Sequence, residues 1–468
     1  MTQAVPSPAA ARQAAHRLVL FSGVLAGPEG QAFLRLMELL DQRRGGWTDP
    51  EPVWEAYARL FRLLAADIEL GTAAPVGDPW INYLLERLLE DENPFSRKAA
   101  VAGMDAMGAS LVEQAREDLR WLQQLAAWDA TAVAGAVAAL TGTRPGGWAD
   151  LRPRPAGEAP DPVAAARRAI KERFAAASDW GACVEDLARH YATHGTGLFG
   201  RYRAFRWERG GLVPVAHPDP VRLVHLPGYE GHHQRLLANT ERFLQGLPAH
   251  NALLFGPAGT GKSSAVKAIA NELAGRGLRL VEIGRDGLDQ LPAALNTLAQ
   301  QGNRFIVFID DLSFDDHETA YKSLKACLEG GAAARPANVL VYATSNRRHL
   351  VRARVGDRPG AASDELHPQD AMAEKLSLAE RFGLRLAFYP PDQASYLDMV
   401  ERLAEQAGLA MDREELHRRA LAFEREQGGR SGRTARRFVD ELRAAQGAAA
   451  GRKAPRGAEM GPGTSHSQ

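Results

Sequence analysis

The chain has 468 residues, and its 57 Lys and Arg are matched by 57 Asp and Glu, so the formal net charge is zero. That balance gives no overall pull toward nucleic acid or a membrane surface, and 45% hydrophobic with 24% charged residues is the composition of an ordinary globular chain. Two cysteines, Cys183 and Cys327, exclude a disulfide scaffold, no apolar run reaches the length of a membrane span, and the opening MTQAVPSPAAARQAAHR lacks the order of a secretion signal, so a cytoplasmic setting is expected.

From Ala9 to about Thr141 apolar residues recur at three- and four-residue spacing, broken by Gly, Pro and Asp. This predicts an α-helical N-terminal domain over 1–142, with no catalytic cluster in it. Residues 143–162, rich in Pro and Gly, read as a linker or a long ordered loop. Residues 163–225 form a helical and β connecting region that contains GLFGRYRAFRWERGGLVPV. Interleaved aromatics and arginines suit either single-stranded nucleic acid or an edge strand whose Arg stems cover a core. The zero net charge favours the edge strand.

Asn251–Phe255 has the length and composition of a buried parallel strand. It runs into Gly256-Pro257-Ala258-Gly259-Thr260-Gly261-Lys262-Ser263-Ser264, which fits G-x-x-x-x-G-K-[ST] and is followed by a helical pattern. Glycines let backbone N–H groups close around phosphate oxygens, and the helix start adds a positive dipole end. Lys262 can reach the β- and γ-phosphates, and the Ser263 hydroxyl can ligate Mg²⁺. These nine residues are therefore the expected binding site for ATP with Mg²⁺.

Strands and helices then alternate over 226–391, with strands expected at 278–284, 304–311, 338–346 and 384–389, and helices at 291–301, 317–329 and 371–381. Alternation of this kind implies an α/β domain with a parallel sheet and ligands beyond the carboxyl ends of the strands. The strand at 304–311 ends in Asp310-Asp311. Asp310 is expected in the Mg²⁺ shell and Asp311 to polarise the attacking water, since a phosphate loop alone hydrolyses nothing. The next strand ends in Thr344-Ser345-Asn346, where Asn346, or alternatively Thr344, would reach the γ-phosphate or the water. The polar loop 350–373 is long enough to serve a partner or a pore. Three helical segments over 392–446 read as a small bundle, and the Gly/Ala/Pro/Ser-rich 447–468 as a disordered tail.

GPAGTGKS, FIVFIDD, YATSN, SLAERFGLRLAFYPPD and SGRTARRF, in that order, resemble the AAA+ ATPases over about Leu226–Leu442. The phrases GYE, NTERFLQG, DDLSF, ATSNRRHL and SLAERFGL resemble more closely a bacterial AAA+ subfamily known as domain of unknown function 815. The resemblance implies strand order 5-1-4-3-2 and a three-helix lid. It implies Arg381 as an arginine finger acting on a neighbouring subunit's nucleotide, hence a homo-oligomer in a ring or open helix. It implies Arg433 as a second sensor in the lid. Many AAA+ proteins have Asp-Glu where this chain has Asp310-Asp311; the shorter side chain predicts slow, switch-like hydrolysis. The expected activity is ATP hydrolysis that remodels or switches a protein client. The alternative is a nucleic-acid-associated, helicase-loader-like ATPase, and a small-molecule kinase is the third reading.

Overall fold

The computed structural model describes residues 5–42, 49–71, 73–154, 161–312, 324–325, 327–328, 336–346 and 379–453. The helices expected at 317–329 and 371–381 lie mostly outside these residues, and the loop 350–373 wholly so.

Helices α1 (Pro8–His16), α2 (Pro28–Gln42), α3 (Glu51–Glu69), α4 (Pro79–Glu90), α5 (Pro94–Ala102), α6 (Ala109–Ala126) and α7 (Ala130–Thr141) fill the first third. Their starts are written in the sequence: Ser7, Asp78, Asn93 and Asp129 each accept a hydrogen bond from a first-turn N–H. Gly142, at φ 76°, ends α7 in the left-handed conformation. The Pro/Gly segment is an ordered loop as far as residue 154. Trp148 is buried and donates its Nε1–H to the Asp78 carboxylate at 2.9 Å. Helices α8 (Pro162–Ala176) and α9 (Val184–His194) share the same apolar core, which runs from Ala11 to Tyr191. A short α10 (Gly197–Arg201) follows.

The nucleotide-domain strands are β3 (Ala252–Phe255), β4 (Leu278–Glu282), β5 (Arg304–Ile309), β6 (Val339–Ser345) and β7 (Leu384–Ala387). The order β4-β5-β6-β3-β7 is the expected 5-1-4-3-2 read from its other end. The sheet is wider than expected. The Arg/aromatic stretch forms an antiparallel hairpin, β1 (Ala204–Glu208) and β2 (Gly211–Pro214), and β1 adds in parallel to β4 to give seven strands. Arg209 and Gly210, both at positive φ, make its two-residue turn.

The central strands are apolar on both faces because both faces are covered. Phe305, Val307 and Ile309 pack under α13 (Leu291–Ala299), whereas Ile306 and Phe308 pack toward α11 (Glu230–Leu244) and α12 (Lys262–Leu273). The C-terminal helices α14 (Gln393–Gln406), α15 (Arg413–Gln427) and α16 (Gly432–Lys453) have a core of their own around Tyr396, Met399, Val400, Leu403 and Phe438. Helix α16 continues seven residues beyond Gln446 into the segment read as disordered; AAQGAAAGRK supplies helix-favouring alanines there.

The helical N-terminal part docks on the strand-start end of this sheet. A Cβ on Gly302 would run into the carbonyl of Ala100, and one on Gly277 into that of Thr193. Arg279, fully buried on β4, donates to the carbonyls of Phe199, Ala274, Leu278 and His194 at 2.8–3.1 Å.

Candidate functional site

Register brings the functional residues together. Phe255 of β3 pairs with Ser345 of β6 and with Ala387 of β7, and Ile309 of β5 pairs with Ala343. The phosphate loop, Asp310-Asp311 and Thr344–Asn346 therefore leave the sheet at one level, at the carboxyl ends of adjacent strands.

The loop turns through Gly256, Gly259 and Gly261, at φ 140°, 82° and 91°. Gly256 also lacks room for a side chain, because a Cβ would overlap the carbonyl oxygen of Phe388. Thr260 is buried and donates to the Pro257 carbonyl at 3.0 Å. Gly261 caps α12, so Lys262 and Ser263 occupy its first turn.

Lys262 Nζ donates to the carbonyls of Gly256 and Pro257 at 2.8 and 2.7 Å and to Asn346 Oδ1 at 3.2 Å. Burial holds its ammonium below the ordinary lysine value, against the opposing pull of Asp311 and Asp310, and nearby Arg433 adds to the fall. Asp310 Oδ1 accepts from Ser263 Oγ and from Thr344 Oγ1, both at 2.6 Å. The Thr344 hydroxyl in turn accepts from the Asp311 N–H at 2.8 Å. Asp311 Oδ1 accepts from Asn346 Nδ2 at 2.7 Å. Asn346 thus bridges Lys262 to Asp311, and Thr344 bridges Asp310 to Asp311. Both residues at the end of β6 belong to the cluster.

Sequence reasoning gave no place to Arg285, in the 3₁₀ turn Arg285–Gln290 after β4. It donates to Asp311 Oδ2 at 2.6 Å and to the Asp311 carbonyl at 2.7 and 3.1 Å. A lone exposed arginine beyond a strand end carries no motif, so only the fold reveals it. Tyr229 was likewise assigned no role: it sits at φ 60°, donates its hydroxyl proton to the Tyr389 carbonyl, and packs against both the sheet core and the C-terminal helices.

Arg433 lies in the first turn of α16 beside the phosphate loop; its N–H donates to the Gly259 carbonyl at 3.1 Å, and the Gly259 Cα faces Ser431 and Arg433. Arg381 lies elsewhere. It is an exposed residue just before β7, at the strand-start end, whereas Gly256 follows the strand end. The four strand residues Leu384–Ala387 lie between these levels, roughly 13 Å at 3.3 Å per residue.

The donor set fits Mg²⁺. Ser263 and Asp310 put hard oxygens side by side at the helix start, and among the described residues no group of three His, Cys, Asp or Glu forms a cage of its own. A cation that keeps its waters and leans on phosphate oxygens needs one or two such ligands.

Residues 200–446 match the family described as protein of unknown function (DUF815). No curated protein matches the chain. Among solved structures, the Thermotoga maritima RuvB Holliday junction branch migration motor is 19% identical over 49% of this chain and 67% of its own, with a TM-score of 0.33. The FIGL-1 AAA domain in complex with ADP is 20% identical over 50% of this chain and 76% of its own, with a TM-score of 0.33.

Proposed function

The chain belongs to the DUF815 family, and we propose that it works as an AAA+ ATPase, which binds ATP with Mg²⁺ at Gly256–Ser264 and hydrolyses it at a subunit boundary to remodel or switch a protein client. The observation that carries this reading is the contact of Ser263 with Asp310 at 2.6 Å, within one hydrogen-bonded cluster that also holds Lys262, Asp311, Thr344 and Asn346.

In this mechanism Ser263 and, through water, Asp310 would hold Mg²⁺, which when bound would supply neutralisation of charge on the β- and γ-phosphates. Lys262 leaves its loop carbonyls for the phosphate oxygens. Asp311 orients a water oxygen toward the γ-phosphorus and draws on its proton. The new P–O bond forms as the bond to the β–γ bridging oxygen breaks, and ADP leaves with that oxygen. Asn346 aligns the water or the γ-phosphate, and Arg433 reports the nucleotide to the C-terminal helices, which act as a lid. Arg381 stands too far from its own chain's phosphate loop to act there. It serves the site of a second copy, so the assembly is a ring or an open helix.

The nucleic-acid reading loses ground in part of the stretch that suggested it. Just before the hairpin, Arg203 is tied to Asp161 and to Asn271 and Arg201 lies over Tyr202 at 5.4 Å, so these two stems serve the fold, whereas Arg206 and Arg209 of the hairpin are exposed. The helices packed on the phosphate loop through Arg433 also favour a switch over a small-molecule kinase.

Phosphate release from Mg·ATP tests the proposal. Lys262→Ala should abolish ATP binding, and Asp311→Asn should keep binding while turnover falls at least a hundredfold. Arg381→Ala should bind ATP and lose hydrolysis, and wild-type Arg381 should restore it when mixed with Arg381→Ala subunits. Turnover by Lys262→Ala at the wild-type rate would sink the assignment. With Asp311→Asn as bait in ATP, proteins that survive nuclease and leave in ADP would support a protein client, whereas loss on nuclease treatment would favour nucleic acid.

A further inference from the structure

Strand β7 ends the sheet on the side opposite the hairpin, so among the described residues one of its edges has no strand beside it. Its Leu384 N–H donates to the Asn251 carbonyl at 3.1 Å, and the N–H of Phe388 just beyond it donates to the Phe255 carbonyl at 2.8 Å. Backbone groups alternate sides along a strand, so Gly383 and Arg385 turn their N–H and C=O outward. The Ala387 carbonyl, on the same outer side, accepts from His232 Nε2 of α11 at 2.9 Å. Helix α11 runs back alongside this edge. Between the two lies an open groove of about 580 Å³, whose wall includes Arg235, Arg242, His250 and Gly383.

We infer that this groove takes an extended, acidic segment of a client protein, which pairs its backbone with the outer edge of β7 and its carboxylates with Arg235 and Arg242. This use of the groove rests on the proposed protein client and gives that client a chemistry. Charge selects the occupant. Arg235 and Arg242 are exposed on one face of α11, two turns or roughly 10 Å apart, and neither has an acidic partner among the described residues. The carboxylate on the groove wall, Glu241, is held by Arg276 at 2.8 Å and so does little to offset them. The edge selects the conformation. A segment that adds to β7 must be extended, and side chains on one face of such a strand recur about every 7 Å, within reach of two long arginine stems. A single-stranded nucleic acid would bring phosphates to the arginines but no donors for the outward carbonyls of Gly383 and Arg385, which would lose water and gain nothing.

Fluorescence anisotropy of the full-length protein tests this with a labelled peptide of alternating Glu and Val, beside the same peptide with Lys for Glu and an oligothymidine of equal charge. The Glu/Val peptide should bind saturably and the Lys/Val peptide should not. Arg235→Glu with Arg242→Glu should weaken the Glu/Val peptide about tenfold or more and admit the Lys/Val peptide. Arg385→Pro removes one outward N–H and leaves the ladder to β3 intact, whereas Arg385→Ala removes the charge alone. The Pro variant should bind about fivefold more weakly than the Ala variant, with thermal melting to confirm that each is folded. Slower hydrogen exchange at the Arg385 amide of wild type on adding peptide reads the same edge without a substitution. No binding of the Glu/Val peptide, binding that ignores the charge reversals, or oligothymidine binding as tightly would overturn the inference. So would self-association that the reversals abolish, which would give the groove to a second copy of the chain. Phosphate release is read separately: an inactive wild type that binds the peptide fails the ATPase reading alone, and an active one that ignores the peptide fails the groove alone.

Discussion

Thr344 shows how much one hydroxyl can organise. It is buried, donates to Asp310 and accepts from the Asp311 N–H, so it sets the spacing between the residue proposed to hold the metal and the one proposed to orient water. Replacing it with Val keeps the shape and β-branching but leaves that N–H without a partner. Orphaning a buried donor costs about 1–3 kcal/mol. Thr344→Val should therefore melt lower than wild type and lose about tenfold or more in kcat, with a smaller change in KM. A thermal melt beside steady-state phosphate release checks both. Asn346→Ala should leave the melting temperature nearly unchanged, since Asn346 is exposed, while still lowering kcat.

At the scale of elements, local order was legible and distant company was not. The strands at 252–255, 278–282, 304–309, 339–345 and 384–387 match the apolar runs, because a parallel strand buried on both faces writes a continuous signal. The Asp310-Asp311 pair and the phosphate loop were legible for the same reason: each follows such a run directly. The hairpin at 204–214 was read as an edge strand, but nothing in its residues says which sheet it extends, since that choice is made by β4, some seventy residues away. Arg285 escaped notice because its partner is Asp311, which is distant in sequence and near only in the fold. Docking of the helical part is equally invisible locally. Gly302 looks like a loop glycine, yet any Cβ there meets the Ala100 carbonyl. Gly302→Ala should force α5 off the start of β5 at a cost of about 1–3 kcal/mol. Faster hydrogen exchange in α5 and at the start of β5, with ATP affinity little changed, is the expected result.

Across the whole molecule, acid should act first on the seam between the helical part and the sheet. Burial pushes His190 down to about 3, with neighbouring His194 adding to the fall, and burial pushes His194 down to about 4. Their rings lie 4.8 Å apart, and His190 Nε2 and His194 Nδ1 have no hydrogen-bond partner. Below pH 6.5 the unfolded chain takes up protons that these rings refuse when folded, so stability is complete above about 6.5 and declines as pH falls toward 3–4. Glu86 adds to the same trend at lower pH. Burial opposes its ionisation, but Arg167 and Lys171 outweigh that and bring it to about 2, so its contribution is lost as pH falls from 4.5 to 2. Denaturant melts should lose about 6 kcal/mol between pH 7 and pH 4, and His190→Phe with His194→Leu should flatten that slope.

The hairpin that widens the sheet has one more consequence, for how the protein behaves when concentrated. An open sheet edge is a template on which strands of other chains add and fibrils grow. Here the outer strand β2 is four residues long and ends in Pro214, which has no N–H to offer. Growth strand upon strand is blocked on that side, so copies of this chain that gather there must meet through side-chain surfaces, which can close on themselves and stop.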